Sequence, residues 1–125
     1  MQWSTQLNEA YRVLRDPLQR AKYLCELAGQ DVTESASRTL GMAFLSQQME
    51  WREALENLEA AQDEVGLAAL LTQVEGDRAR CQTQTSRLIE QQHWPDALKS
   101  LNEWMFIEKF VKEVQVVKRA QAATE

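Results

Sequence analysis

A chain of 125 residues with 44% hydrophobic and 26% charged residues has the make-up of one globular domain, or of one domain with part of another. Its 14 Lys and Arg against 19 Asp and Glu leave a net charge of −5, which lacks the basic footprint that neutralises phosphates and so points away from nucleic acid and anionic membrane surfaces. No apolar run is long enough to span a bilayer, and "MQWSTQLNEAYR" is not a secretory signal.

With four Gly and two Pro among abundant Ala, Leu, Glu, Gln and Arg, the sequence predicts an all-α chain. The first segment, "LNEAYRVLR", sets Leu7, Ala10, Tyr11 and Leu14 on one side of a helix. A second helix starts at Asp16-Pro17, an N-cap acceptor followed by the residue whose missing N–H costs nothing in a first turn. Leu18, Ala21, Leu24 and Cys25 form its apolar side, and Gly29 is its stop. "QDVTESASRT" has no periodicity and reads as a linker. A long helix begins near Leu40, and Asp63 is a good N-cap for the next, where Leu67, Leu71, Val74, Cys81 and Leu88 hold one side. Gly66 and Gly76 read there as points of close packing or slight bends. "QHWPD" breaks the chain before a last helix with Pro95 in its first turn. Its core stripe begins with Ala97, Leu101 and Trp104 and continues through Ile107, Val111 and Val114, and "RAQAATE" reads as a fraying tail. The architecture expected is a short helical hairpin, a linker, and three antiparallel helices of about three to seven turns, which make a bundle.

Chemistry-bearing motifs are sparse. Cys25 and Cys81 are far apart and inside helical patterns; they form neither a disulfide framework nor a metal spacing, and read as small apolar residues of a reducing, cytoplasmic protein. The single histidine completes a Glu90-x-x-His93 pair, half of what a di-iron bundle needs, since that site takes the motif on two helices with two further glutamates. No nucleophile motif and no phosphate-cradling Gly-rich loop is present. The expectation is a protein that is not an enzyme and has no cofactor. Trp51 and Trp104 fall on core stripes; Trp3 has little chain before it to cover it.

One stretch stands out, "FLSQQMEWREALENLEAA". At about 100° per residue, Phe44, Trp51, Leu55 and Leu58 fall within about 60° of one another and form a core side. Leu45 and Met49 lie roughly 100° or more round the helix. Leu45, Ser46, Met49, Glu50, Glu53 and Asn57 share an arc roughly 140° wide, an apolar pair flanked by carboxylates. Two readings stay open from the residues alone: a docking patch with an adaptable Met and steering glutamates, or a widened core stripe.

Three stretches in order, "LNEAYRVLRDPLQRAKYLCELAG", "FLSQQMEWREALE" and "LNEWMFIEKF", resemble the HscB co-chaperones of bacterial iron–sulfur cluster assembly, over nearly the whole chain. The first is the most specific, through Asn8, Ala10, Tyr11, Leu14, Pro17, Leu18, Arg20, Ala21, Tyr23 and Leu24. The resemblance implies that residues 1–29 are the last two helices of a J domain, 30–39 a linker and 40–125 a C-terminal three-helix scaffold-binding bundle. It further implies that the bundle binds the cluster scaffold protein IscU, while a complete J domain recruits the DnaK-like chaperone HscA and stimulates its ATPase. Carried over by position, the scaffold-binding residues are Leu45, Ser46, Met49, Glu50, Glu53, Asn57 and Phe106. Ser46 stands where the family pattern has Met and Asn57 where it has Glu, and both changes weaken the patch.

A J domain acts through a His-Pro-Asp triplet before its third helix, and these residues contain none. The expectation is that Met1 is an internal methionine, that the first two J-domain helices are missing, and that the chain binds the scaffold without stimulating the chaperone. A competing expectation is a free-standing helical module that self-associates through Leu7, Tyr11 and Leu14, an uncovered apolar side of the first helix.

Overall fold

The computed structural model describes residues 16–32 and 40–123. The described residues contain α1 (Pro17–Leu27), α2 (Met42–Ala61), α3 (Glu64–Glu90) and α4 (Trp94–Ala123), and no strand. The all-α hairpin-and-bundle class expected from periodicity is what the chain adopts. The hairpin's first helix, with Leu7, Tyr11 and Leu14 and the self-association assigned to them, lies outside the described residues, as does Trp3.

Local chemistry sets the helix boundaries. The Asp16 carboxylate caps α1, accepting from the Leu18 N–H at 2.9 Å and the Gln19 N–H at 3.4 Å, with Pro17 behind it. Asp63 caps α3 by accepting from the Gly66 N–H at 2.9 Å. Helices α1, α2 and α3 end in one pattern, a left-handed residue whose N–H and that of the next residue reach back to carbonyls of the last turn. At α1 that residue is Gly29, with φ of 85°. At α2 and α3 it is Gln62 and Gln92, with φ of 51° and 58°. Glutamine carries a steric cost in that region, so neither residue announces a helix stop as Gly29 does.

The chain divides into two compact units. One consists of Leu40–Arg80 with Glu103–Glu125, and so takes in α2, most of α3 and the later part of α4. Its core holds Trp51, Leu55, Leu67, Leu70, Val74, Trp104, Ile107, Phe110, Val111 and Val114. Gln47 meets Asp77 and Arg78 meets Glu108, which fixes α3 antiparallel to both neighbours. Gly66 sits at the tight turn between α2 and α3, where a Cβ would meet Leu58 Cδ2 and the Asp63 carboxylate. Gly76 is exposed, with nothing within 4 Å of a would-be Cβ, so of the close packing or slight bend expected there, close packing is absent.

The other unit joins Met1–Thr39 with Cys81–Asn102. Its buried residues include Ala21, Cys25, Val32, Cys81, Ala97, Leu98 and Leu101. Where α3 meets α4 the interior is polar: the Thr85 hydroxyl lies 2.7 Å from the Cys81 carbonyl and 2.6 Å from the Ser100 hydroxyl, and the Cys81 thiol donates to the Ser100 carbonyl at 3.2 Å. These bonds satisfy groups that would otherwise be costly to bury. Burial pushes the Cys25 thiol above its ordinary range, with the Glu26 charge adding to it, so the thiol stays protonated and inert.

Val32, in the stretch read as a linker, is only 4% exposed, so the start of that segment is packed. One expectation is corrected. The tail expected to fray from Arg119 stays helical to Ala123 with Gln121 buried, giving α4 30 residues, about eight turns. The tail's Arg, Ala and Gln are good helix formers, and the burial of Gln121 holds them in α4.

Candidate functional site

Helix α2 is oriented by its inward side. Trp51 stacks on Phe110 of α4, ring centroids 5.7 Å apart and 22° between planes. The Arg52 guanidinium lies 6.0 Å from the centre of the Phe110 ring and pairs with the Glu113 carboxylate at 3.0 Å. One turn earlier, the Gln47 amide donates to Asp77 of α3 at 3.3 Å. With Trp51, Leu55 and Gln47 committed to neighbours, the helix cannot rotate without unstacking an aromatic pair worth about 0.5–1.5 kcal/mol beyond its burial.

That rotation angle decides what the solvent meets. Leu45 is 40% exposed and Met49 74%. Ser46, Glu50, Glu53 and Asn57 are exposed beside them. The apolar pair therefore does not widen the core stripe, and that reading of the residues is set aside. Phe106 is half-buried on α4, with the Lys109 ammonium 5.7 Å from its ring centre, a separation at which a cation is attracted to the ring. A shallow groove of 640 Å³ runs where the first half of α2 faces α4, lined by Ala43, Phe44, Ser46, Gln47, Glu50 and Glu103. Of the seven residues assigned from sequence, Ser46 and Glu50 line this groove, and Phe106 stands one turn beyond Glu103 on α4. Glu103 lies within the third family-like stretch, yet none of the scaffold-binding residues carried over falls on it; the packing of α4 beside α2 brings it to the groove.

The remaining ionisable groups form no comparable site. Among the described residues no group of three or more His, Cys, Asp and Glu converges as metal ligands would. Glu90 is exposed at the end of α3 and lines a separate groove of 390 Å³ with Pro17, Arg20, Leu24 and Gln82, while His93 is exposed past the helix end. No described helix is long and apolar enough to cross a membrane.

Residues 40–115 match the family model described as the HSCB C-terminal oligomerisation domain. The chain is 43% identical over 122 residues to the co-chaperone protein HscB homolog of Bordetella pertussis, covering 97% of this chain and 71% of that protein. It is 45% identical over 114 residues to the corresponding protein of Ralstonia nicotianae, covering 90% of this chain and 65% of that one. Its fold is similar to that of the chaperone HscB from Vibrio cholerae, with a TM-score of 0.82 and 34% identity over 96% of this chain and 70% of the other. The Bordetella and Ralstonia relatives are named co-chaperones, and the chain shares sequence with them, and its helical fold with the Vibrio protein, over most of its length, which places it in that class. The chain belongs to the HscB co-chaperone family.

Proposed function

We propose that this protein works in iron–sulfur cluster assembly by docking an IscU-type cluster scaffold protein on the outward side of α2. The supporting observation is the exposure of Leu45 and Met49 between carboxylates on a helix whose other side is filled by Trp51 and Leu55. Leu45, Met49 and Phe106 supply the apolar contact, and Glu50 and Glu53 steer a basic partner and slow its escape to wrong orientations. Ser46 and Asn57 complete the patch with less apolar area and less charge than the family pattern carries.

Delivery to an HscA-type DnaK-family chaperone, and stimulation of its ATPase, is the work of a J domain through a His-Pro-Asp triplet. These 125 residues hold no such triplet. The work assigned to residues 40–125 is therefore scaffold binding, with residues 1–29 as the J-domain part and 30–39 joining them. Cytoplasmic location follows from the same reading.

Calorimetric titration with the scaffold protein tests it. The expected result is one-to-one binding by the wild type and a loss of tenfold or more for Leu45→Ala/Met49→Ala, since fully burying one such side chain is worth about 1.5–3 kcal/mol. Equal heats for both proteins would remove the assigned surface. Self-association is the second reading, favoured by the family model's description as an oligomerisation domain. Light scattering that gives a concentration-independent monomer mass would end it.

A further inference from the structure

Phe106 and Lys109 form a pair on α4 that neither the core nor an ion pair accounts for. The register of α4 against α2 is fixed on both sides of Phe106: Glu103 shares a groove with Gln47 and Glu50, and Phe110 stacks on Trp51. Phe106 lies between those points and one turn before Phe110, so it stands on the edge of α4 turned toward α2. Its ring is half-buried, and the Lys109 ammonium lies over it, 5.7 Å from its centre. A lysine on a helix ordinarily pairs with a carboxylate three or four residues away. For Lys109 that residue is Glu113, and both Glu113 oxygens are taken by the Arg52 guanidinium, at 3.0 and 3.4 Å. The adjacent Glu108 is turned the other way, to the Trp104 Nε1 at 3.2 Å and to Arg78 at 3.6 Å. Among the described residues the Lys109 ammonium is left with the Phe106 ring.

We infer that Lys109 is a positioning residue for scaffold docking: it holds the Phe106 ring in the orientation that the scaffold meets. The inference rests on the docking reading above and deepens it. A half-buried ring that can turn must be ordered when a partner seats on it, and that ordering subtracts from affinity. An ammonium over one face is attracted to the negative centre of the ring and covers that face, so a partner finds the opposite face and the edge already presented. The Arg52–Glu113 pair contributes at one remove, because it keeps Glu113 from drawing Lys109 away from the ring. Lys109 needs no contact with the scaffold itself to act in this way.

A double-mutant cycle read by affinity for the purified scaffold protein tests this. Lys109→Met keeps the stem and removes the charge; it is expected to weaken binding roughly two- to fivefold, the worth of an exposed cation–ring contact. Lys109→Arg is expected to bind like the wild type, because a guanidinium takes the same place over a ring. Phe106→Leu is expected to bind more weakly than the wild type, and adding Lys109→Met to it is expected to cost nothing further. In the free protein, proton NMR is expected to show the Lys109 methylene next to the ammonium shifted upfield by the ring and returned to its ordinary position in Phe106→Leu. A Lys109→Met penalty that persists in the Phe106→Leu background overturns the inference, because it marks direct contact between Lys109 and the scaffold. An equal penalty in Lys109→Arg, or a methylene signal that Phe106→Leu leaves unmoved, overturns it as well. Full affinity of Lys109→Met beside weak binding by Leu45→Ala/Met49→Ala removes the role of Lys109 and leaves the docking reading standing. If the wild type itself fails to bind the scaffold, the docking reading falls and takes this inference with it.

Discussion

Trp51 and Met49 lie two residues apart on α2, yet one is 4% exposed and the other 74%. The inward side of the helix is fastened by ring stacking on Phe110, by the Arg52–Glu113 pair and by Gln47 on Asp77. The outward side has apolar groups of similar kind, and Leu45 and Met49 remain open to solvent. Apolarity is thus spent in two ways on one element. Inward it stabilises the fold in every copy of the molecule, and outward it stays in water, where the proposed docking would bury it.

Substitutions can break or sharpen that contrast. Trp51→Ala should have the largest effect, a loss of about 3–5 kcal/mol in denaturant unfolding, because a large buried ring leaves a cavity and strands Phe110. Binding of the scaffold would then fall only as far as the folded fraction falls. Leu45→Ala/Met49→Ala should do the reverse, moving the unfolding midpoint by less than about 0.5 kcal/mol while costing binding tenfold or more. A large stability loss from that pair would erase the contrast.

Smaller changes refine the same division within other elements. Gly76→Ala should raise stability by about 0.5–1 kcal/mol, since its Cβ enters open space, whereas Gly66→Ala should forfeit that gain by pushing on Leu58 and the Asp63 cap. Paired thermal melts of the two variants separate them. Gln62→Gly and Gln92→Gly should each give a gain of up to about 1 kcal/mol by relieving left-handed glutamine at the helix ends. The smallest effect is expected at Cys25. Its folded thiol titrates above the ordinary range, so its contribution is complete below the unfolded thiol pKa, about 8.5, and is lost as pH rises through the folded value. Cys25→Ala should flatten the alkaline fall in stability, and thiol reagents should label native Cys25 slowly and the denatured chain fast.

Much of this was readable in advance for stated reasons. Asp16-Pro17 and Asp63 announce helix starts because the capping carboxylate and the pre-set proline act within two or three residues. The α4 stripe from Ala97 to Val114 is legible because burial follows the helical period. The outward arc from Leu45 to Asn57 is legible as an arc on the same ground, but its exposure is not, since it depends on where α4 lies. The polar pairing of Thr85 with Ser100, the burial of Val32 and of Gln121, and the arrival of Glu103 beside Ser46 and Glu50 join residues distant in sequence and leave no local trace.

The sequence by itself determined the helices, their caps and the existence of two apolar arcs on α2, because these follow from propensity, hydrogen-bond satisfaction and a period of 3.6 residues. Only the tertiary structure decided which arc faces solvent and what stands next to it. The stack of Trp51 on Phe110 sets the rotation of α2, and the register of α4 brings Glu103 to the groove. Rotation and register are properties of packed pairs of helices, and no single helix encodes them.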